Sequence, residues 1–256
     1  DNLLPDSETI RRRIAARFKT KSIEPFELLA AVGRDCVGAI QLLGEDAPAP
    51  RIDITEGTAL GDEDIEELLE RALAPAVPGQ ATDEDDQDDF RISLAGAQEK
   101  WALLRHDGRW LRPHGATPTT HILKLPLGLV GNSRIDLRTS VENEWLCLSI
   151  LRAYGLPVAE CAMHAFGKQK ALVVARFDRQ IHAQGGWYLR LPQEDFCQAT
   201  GRSPLMKYEA DGGPGLAELA NLLNQSVQPG DDLRTLFAAQ ILFWMLGAPD
   251  GHAKNF

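Results

Sequence analysis

Cysteine is scarce in this 256-residue sequence, and no two cysteines lie close together. The four that occur are Cys36, Cys147, Cys161 and Cys197, and no Cys-x-x-Cys pair is among them. This spacing argues against the common zinc and dithiol motifs and favours buried, reduced thiols. The sequence therefore predicts a protein of a reducing compartment, the cytoplasm.

Positive charge and long apolar runs are also lacking. The 27 Lys and Arg residues are outnumbered by 37 Asp and Glu, so the net charge is -10. Such a chain is not expected to bind nucleic acid or anionic lipid nonspecifically. No segment reaches the roughly 20 apolar residues of a membrane span, and the opening Asp1-Asn2 does not begin a secretory signal. These features favour a soluble, cytoplasmic protein with no membrane partner.

One basic cluster stands out against this acidic background, on the first predicted helix. Its members are Arg11, Arg12, Arg13, Arg17, Lys19 and Lys21. A solvated helix face is favoured over a docking site for an acidic partner or nucleic acid.

The composition changes along the chain and predicts three parts. Residues 1–80 are predicted to form a small N-terminal subdomain, followed by a linker to residue 89 that contains the acidic run DEDDQDD at 83–89. Like charges repel one another, so solvation of this run is favoured over a Ca²⁺ site. Residues 90–178 are predicted as a strand-rich lobe, and residues 179–256 as the start of a helical lobe.

Hydrophobic periodicity and turn residues predict the individual elements. Helices are expected from residue 6 or 7 onward and at 25–32, 62–73, 139–154, 193–200, 216–223 and 233–247. Strands are expected at 37–43, 90–94, 100–105, 109–112, 121–125, 162–166 and 171–177. The short strands after the linker predict an antiparallel sheet.

The last eight residues place a carboxylate and a carboxamide at a spacing used in phosphoryl transfer. In protein kinases an Asp that accepts the substrate hydroxyl proton is followed, five residues later, by an Asn that holds Mg²⁺. Asp250 and Asn255 have this spacing. A polar turn is favoured on this loop alone, because Asp-Gly most often marks a turn.

Other residues fit the same chemistry in the order that a kinase requires. Lys124 lies in a predicted apolar strand, and Glu144 lies in the helix that follows, like the kinase lysine and glutamate that serve the ATP phosphates. A hinge between the lobes is predicted near Arg176 and Phe177, where backbone groups could read an adenine edge. Before Lys124, the small-residue turn at 93–100 could approach a phosphate, although a plain hairpin is at least as well supported.

Seven segments, taken in order, resemble the HipA family of bacterial toxin kinases. They are ISLAGAQEK at 92–100, TTHILK at 119–124, VENE at 141–144, RFDR at 176–179, RLPQED at 190–195, KYEADGGPG at 207–215 and DGHAKNF at 250–256. The resemblance covers nearly the whole chain. It implies an α+β, two-lobed fold of the eukaryotic protein kinase type, with a small N-terminal subdomain.

The family resemblance also implies an activity, cofactors and partners. A HipA-type kinase uses ATP and Mg²⁺ to phosphorylate a serine of glutamyl-tRNA synthetase, which inhibits translation and leads to growth arrest or persistence. A helix-turn-helix antitoxin, HipB, binds the kinase and operator DNA, so DNA is expected to be reached mainly through the antitoxin.

The same resemblance implies a role for each matching residue. Asp250 would be the base, with His252 beside it in the catalytic loop, and Asn255 would be a Mg²⁺ ligand. Ser93 would be an autophosphorylation site. The nucleotide would be bound by the mobile phosphate loop, the strand lysine, the helix glutamate and the hinge, which together comprise Leu94, Ala95, Gly96, Ala97, Gln98, Glu99, Lys100, Lys124, Glu144, Arg176 and Phe177.

Departures from the family pattern leave alternatives open. Pro249 and Ala175 stand where Thr and Glu are expected, and no counterpart of the second Mg²⁺ carboxylate follows the catalytic loop. The sequence is therefore expected to be a truncated chain. The spacing Asp250-x-His252-x-x-Asn255 also resembles aminoglycoside-type small-molecule kinases. A catalytically dead, nucleotide-binding module that holds the antitoxin is a third reading.

Overall fold

The structure is a computed structural model that describes residues 1–45, 47–73, 98, 100–130 and 134–256. Its contacts divide the chain into two compact units. The helical unit comprises Asp1–Asn2, Glu144–Val158 and Glu194–Phe256, and the sheet unit comprises Leu3–Asn143 and Ala159–Gln193. The predicted three-part division of the sequence stays a prediction.

The sheet unit is built around six antiparallel strands in the order β1-β3-β2-β4-β8-β7. Two separate hairpins, β5-β6 and β9-β10, accompany this sheet. The strand bounds are β1 Gly57–Leu60, β2 Lys100–His106, β3 Arg109–Pro113, β4 His121–Lys124, β5 Gly128–Val130, β6 Ile135–Leu137, β7 Cys161–Phe166, β8 Gln169–Ala175, β9 Arg179–Ile181 and β10 Tyr188–Arg190. The predicted antiparallel sheet is confirmed.

One face of the large sheet packs against a helix. Side chains of a strand alternate between the two faces, and Leu103, Leu123 and Val173 fall on the same face in register. They share a buried core with Ile65 and Leu69 of α3, Asp62–Leu73, whose apolar residues recur at helical spacing. The opposite face carries Lys100 and Lys124, which leaves that face free of the α3 core.

The N-terminal helices form a second, smaller core within the sheet unit. Helix α1, Glu8–Phe18, begins where Ser7 Oγ accepts the N–H of Ile10, and α2 spans Pro25–Val32. Leu4, Leu28 and Val32 are buried together between them. Leu4 thereby packs the segment before α1 against both helices.

The helices after α3 are α4 Ser140–Ala153, α5 Phe196–Ala199, α6 Leu216–Leu223 and α7 Pro229–Leu246. The first four residues of α4 belong to the sheet unit and the rest to the helical unit. Helix α5 begins with a capping box, in which Asp195 and Gln198 satisfy each other's backbone N–H groups. None of the described helices is long and apolar enough to cross a membrane.

Most predicted elements are confirmed, but the strand predicted at 37–43 is wrong. That segment contains a turn, because Gly38 adopts a left-handed φ of 76° and donates its N–H to the Asp178 carboxylate at 2.7 Å. Its apolar residues Ile40 and Leu43 are about half exposed rather than buried in a sheet. The strand predicted at 90–94 lies outside the described residues, and β1, β5, β6, β9 and β10 were not predicted.

A buried ion cluster joins four separate segments of the sheet unit. Asp35 Oδ1 accepts hydrogen bonds from Arg179 Nη2 and Arg190 Nη2, both at 3.1 Å, and Asp35 Oδ2 accepts one from Thr119 Oγ1 at 2.6 Å. Arg176 lies 3.4 Å from the same carboxylate. Asp35 is 5% exposed, so these partners replace water almost completely.

The arginines of the cluster share a second carboxylate. Asp178 Oδ2 accepts hydrogen bonds from Arg176 Nη2 and Arg179 Nη1, both at 2.8 Å. Burial would raise the pKa of Asp35, but the three arginines and Thr119 outweigh it and lower that pKa from 3.8 to about 2. The cluster fixes the chain that leaves β8 relative to the segment around Asp35.

We expect Asp35→Asn to destabilise the protein by about 3–5 kcal/mol, because it removes one partner of a buried ion cluster. The measurement is urea unfolding at pH 7. Since the folded pKa of Asp35 is depressed, its contribution is present above about pH 4 and is lost as the pH falls through about 2. The difference between the proteins should shrink over that interval.

Asp53→Asn is the matched control, because Asp53 forms an exposed ion pair with Arg51 at 3.4 Å. Its effect should stay within about 0.5 kcal/mol. Equal stability losses in the two variants would contradict the role assigned to Asp35.

Candidate active site

The loop that carries Asp250 follows α7 directly. Gly247 ends this helix in a left-handed conformation with φ of 63°, and its N–H donates to the carbonyls of Phe243 and Trp244. A turn at 249–250 follows, and Ala253–Asn255 forms one turn of 3₁₀ helix. The loop from Asp250 to Asn255 is thus held between a terminated helix and a short helical turn.

Three side chains donate hydrogen bonds to the Asp250 carboxylate. Tyr208 Oη lies 3.0 Å and His252 Nε2 3.2 Å from Oδ1, and Asn255 Nδ2 lies 3.2 Å from Oδ2. Asn255 Nδ2 also donates to the Asp250 backbone carbonyl at 2.7 Å. The Asp250 side chain is nevertheless 71% exposed, so a held carboxylate still faces solvent.

The loop itself sets the proton arrangement of His252. Its Nδ1 accepts the backbone N–H of Lys254 at 3.3 Å, so the proton of a neutral ring lies on Nε2 and points to Asp250. The ring is buried and meets Tyr208 edge to face at 4.8 Å between centroids. His252 therefore donates to the Asp250 carboxylate from Nε2.

These contacts determine the charge of Asp250. The hydrogen bond from His252 is the largest cause that lowers its pKa from 3.8 to about 2, followed by those from Tyr208 and Asn255, while partial burial opposes them. The carboxylate is thus ionised at neutral pH. An ionised carboxylate held in this way can accept the hydrogen bond of a hydroxyl.

Asn255 is oriented so that its oxygen remains for another ligand. Both groups that its Nδ2 reaches are acceptors, so the amide nitrogen must face Asp250 and Oδ1 must face away. A carboxamide oxygen is a ligand that Mg²⁺ takes together with phosphate and water. No group of three His, Cys, Asp or Glu side chains within the described part of the chain could hold a metal ion. Asn255 fits the predicted role as one ligand among several.

Two lysines lie directly opposite each other in the middle of the large sheet. Lys100 of β2 pairs in register with Lys124 of β4, so both side chains project from the face opposite α3. Gln98 Nε2 donates to the carbonyl of Leu125 at 2.6 Å, which ties the start of β2 to the end of β4. Like charges directly opposite each other are unfavourable, and an anion such as a phosphate close to the pair would reduce their repulsion.

The remaining predicted nucleotide residues lie in different settings. Glu144 is in α4 and belongs to the helical unit. The Arg176 guanidinium is committed to the buried ion cluster, and its backbone N–H donates to the Thr120 carbonyl at 2.8 Å, so this N–H does not serve an adenine edge. Phe177 is 70% exposed. The predicted residues Ser93, Leu94, Ala95, Gly96, Ala97 and Glu99 lie outside the described residues.

Sequence reasoning did not assign two residues that shape the loop. Tyr208 lies 42 residues before Asp250 in the chain, inside the KYEADGGPG segment, and nothing in its spacing shows that it reaches the carboxylate. Lys254 has a buried side chain that contacts Asp195 and Asn2. The sequence signal for Tyr208 and Lys254 was their position within two segments that resemble the HipA family.

Models of two protein domain families match most of this chain. The HipA-like C-terminal domain matches residues 92–256, and the HipA N-terminal domain matches residues 1–43. This chain belongs to the HipA family. The resemblance noted from the sequence is confirmed.

Individual HipA relatives match along the whole chain. A Sinorhizobium fredii protein named as a candidate kinase, Y4mE, is 35% identical over 99% of this chain and 58% of its own length. The serine/threonine-protein kinase toxin HipA of Shewanella oneidensis is 29% identical over 100% of this chain and 57% of its own. The chain thus spans a little over half the length of these relatives.

A solved HipA structure confirms the fold class. The complex of HipA, HipB and operator DNA from Shewanella oneidensis MR-1 contains a chain with a TM-score of 0.75 and 25% identity to this one. The match covers 99% of this chain and 58% of that chain. The α+β fold, with a strand-rich and a helical part, is the one expected of a kinase-like HipA protein.

We expect His252→Leu to raise the pKa of Asp250 from about 2 toward its usual value near 3.8, because the largest stabilising hydrogen bond is removed. Tyr208→Phe should raise it less. Titration of the Asp250 carboxyl carbon by NMR measures both shifts. An unchanged Asp250 pKa in His252→Leu, with the fold intact, would show that the ring does not orient this carboxylate.

Proposed function

We propose that this chain carries the ATP-binding and catalytic residues of a serine/threonine protein kinase toxin of the HipA type. The observation that carries the proposal is the arrangement at the end of the chain, where an ionised Asp250 is held by three donors while Asn255 turns its oxygen away. Family membership and the kinase names of the relatives support the assignment.

Each of these residues has one task in the proposed transfer. An Asp250 oxygen accepts the hydrogen bond of the substrate hydroxyl, aligns its oxygen with the γ-phosphorus, and takes the hydroxyl proton as the new O–P bond forms and the bond to ADP breaks. His252 and Tyr208 hold the carboxylate in that orientation. Asn255 Oδ1 would bind Mg²⁺, which, when bound with ATP, neutralises charge on the β- and γ-phosphates.

The lysine pair has the complementary task of binding the nucleotide. Lys124 is assigned to the α- and β-phosphates, and Lys100, its partner across the strands, adds a second positive charge on the same face. Glu144 is assigned to orient Lys124, as the helix glutamate does in protein kinases. Phosphoryl transfer depends mainly on positioning and electrostatics, so these contacts supply most of what the reaction needs.

For the biological substrate and partners, we propose those of the family. The substrate would be a serine of glutamyl-tRNA synthetase, and its phosphorylation would inhibit translation and cause growth arrest or persistence. A HipB-type antitoxin would neutralise the kinase, in keeping with the relative solved together with HipB and operator DNA. The net charge of -10 supports DNA contact mainly through that antitoxin. Phosphorylation of Ser93 would switch the kinase off.

One observation favours a second function, a small-molecule kinase. His252 lies two residues after Asp250, as in aminoglycoside-type kinases, and it contacts the carboxylate directly. Incubation with labelled ATP separates the two functions, because a protein kinase labels glutamyl-tRNA synthetase whereas a small-molecule kinase labels no protein substrate. Nucleotide and antitoxin binding without any transfer would instead indicate a catalytically dead module.

We expect Asp250→Asn in the full-length protein to lower the rate of phosphate transfer by about 10² to 10⁴-fold, because the carboxylate aligns and accepts from the hydroxyl. ATP affinity should change little, since the carboxylate does not hold the nucleotide. Single-turnover transfer and calorimetry measure the two quantities. The exposed Asp231→Asn in α7 is the control and should leave both unchanged. A variant at position 250 that keeps more than about a tenth of the rate would refute the role.

Lys124→Ala should weaken ATP binding and slow transfer together, because it removes a charge that contacts phosphate. Glu144→Ala should have the same effects to a smaller degree, since the glutamate acts on the lysine. Calorimetric titration with ATP tests both variants. Lys168→Ala, in the exposed turn between β7 and β8, is the matched loss of one lysine. Equal ATP affinities for Lys124→Ala and Lys168→Ala would rule out the assignment.

A further inference from the structure

A buried ammonium group lies within the catalytic loop. The Lys254 side chain is only 3% exposed, and its Nζ reaches three oxygens: the Asn2 carbonyl at 2.9 Å, Asp195 Oδ2 at 3.3 Å and Asn2 Oδ1 at 3.4 Å. A lysine ammonium has three donors, and three acceptors of the protein meet them. Lysine is rarely buried without such partners. Two of the three acceptors come from residue 2, which lies 252 positions away.

Asn2 is itself fixed in one orientation. Its Nδ2 donates to the Arg202 carbonyl at 2.9 Å, so its amide oxygen is turned to the ammonium of Lys254. Asn2 belongs to the helical unit, whereas Leu4, two residues later, is buried in the core of α1 and α2. The start of the chain is therefore part of the unit that contains the catalytic loop, although the residues after it belong to the other unit.

Lys254 connects Asn2 to His252 and Asn255 of the proposed catalytic loop. It lies in the 3₁₀ turn immediately before Asn255, and its backbone N–H donates to His252 Nδ1. That hydrogen bond sets which nitrogen of His252 faces Asp250. The side chain of Lys254 points to Asn2 and Asp195, and its backbone N–H donates to His252. A shift of the buried ammonium would therefore disturb His252 and the adjacent Asn255, two of the three donors to the Asp250 carboxylate.

Asp195 gives the ammonium a second support from the helical unit. Its Oδ1 accepts the N–H of Gln198 at 2.8 Å as the N-cap of α5, while its Oδ2 accepts from Lys254. The backbone N–H of Phe196 also donates to the Phe256 carbonyl at 3.2 Å. Asp195 therefore also caps a helix, whereas the Asn2 side chain joins Lys254 to the Arg202 carbonyl.

We propose that Asn2 is a positioning residue of the kinase, which acts through Lys254 to hold the catalytic loop in its working geometry. Asn2 does not touch the substrate or the nucleotide. Its carbonyl and its amide oxygen keep the ammonium in place, and the ammonium keeps the turn at 253–255 and the ring of His252 in place. The role in catalysis rests on the proposed function, whereas the ordering of the loop does not.

The first test is a double-mutant cycle on phosphate transfer by the full-length protein. Asn2→Ala should lower kcat about tenfold with the KM for ATP unchanged within about twofold, because small misplacements of reacting groups cost rate rather than nucleotide affinity. Lys254→Met should lower kcat at least as much. If Asn2 acts through Lys254, the double variant should be no slower than Lys254→Met alone. Multiplied losses of rate would overturn the proposal.

Controls separate positioning from general destabilisation. Asn221→Ala removes an exposed asparagine from α6 of the same unit and should leave kcat unchanged. Asn2→Asp loses the donor to the Arg202 carbonyl but keeps an oxygen toward the ammonium and adds a charge of opposite sign to it, so it should retain more activity than Asn2→Ala. An Asn2→Asp variant as slow as Asn2→Ala would contradict a role that depends on the acceptor for Lys254.

Hydrogen exchange tests the loop without reference to activity. The backbone amides of Lys254 and Asn255 should exchange about tenfold faster in Asn2→Ala than in the unaltered protein, whereas the amides inside α7 should not change. Unchanged exchange at both loop amides would overturn the proposal. If the unaltered full-length protein transfers no phosphate, the proposed function fails, and this exchange comparison still decides whether Asn2 orders the loop.

Discussion

Burying a charge without a partner costs several kcal/mol. Each unit of this protein contains a buried charge whose partners come from segments that are distant in sequence. In the sheet unit, Asp35 holds three arginines from the region after β8. In the helical unit, Lys254 holds Asn2 and Asp195 around one ammonium. Because both side chains are almost fully buried, water cannot replace the partners. The loops that carry these partners are therefore held in one arrangement.

The buried ammonium of Lys254 accounts for a loop at 250–255 that is held in place although its carboxylate is exposed to solvent. The Asp250 carboxylate faces solvent, but its donors His252 and Tyr208 are fixed by packing against each other and by the turn that Lys254 supports. In the proposed function, a substrate hydroxyl would meet a carboxylate that is already ionised and oriented, so little reorganisation would remain for the reaction. Asn255 uses its nitrogen in the same network and leaves its oxygen outward. One set of hydrogen bonds thus orients both the Asp250 carboxylate proposed to meet the hydroxyl and the Asn255 oxygen proposed to bind Mg²⁺.

The sequence predicted the structural features that depend on residues close together in the chain. The helix over 62–73 has its apolar residues at helical spacing, and Asp250 and Asn255 are five residues apart, so both could be identified locally. The segment 37–43 was misread as a strand because its apolar composition hides the turn at Gly38, whose N–H is bound by a carboxylate 140 residues away. The roles of Tyr208 and Asn2 were not predicted for the same reason, since their contacts join positions that only the folded chain brings together. Strands of three residues, such as β5, are too short to show a period.

A crystal structure of the full-length protein with Mg²⁺ and a non-hydrolysable ATP analogue would show directly whether Asn255 and Lys124 bind the metal and the nucleotide. We expect Mg²⁺ about 2.0–2.1 Å from Asn255 Oδ1, with phosphate oxygens completing its shell, and Lys124 in contact with the α- or β-phosphate. Asp250 should keep its contacts with His252 and Tyr208 and point an oxygen to the place of the acceptor hydroxyl. A nucleotide bound away from Lys124, or a metal ion that ignores Asn255, would contradict the account.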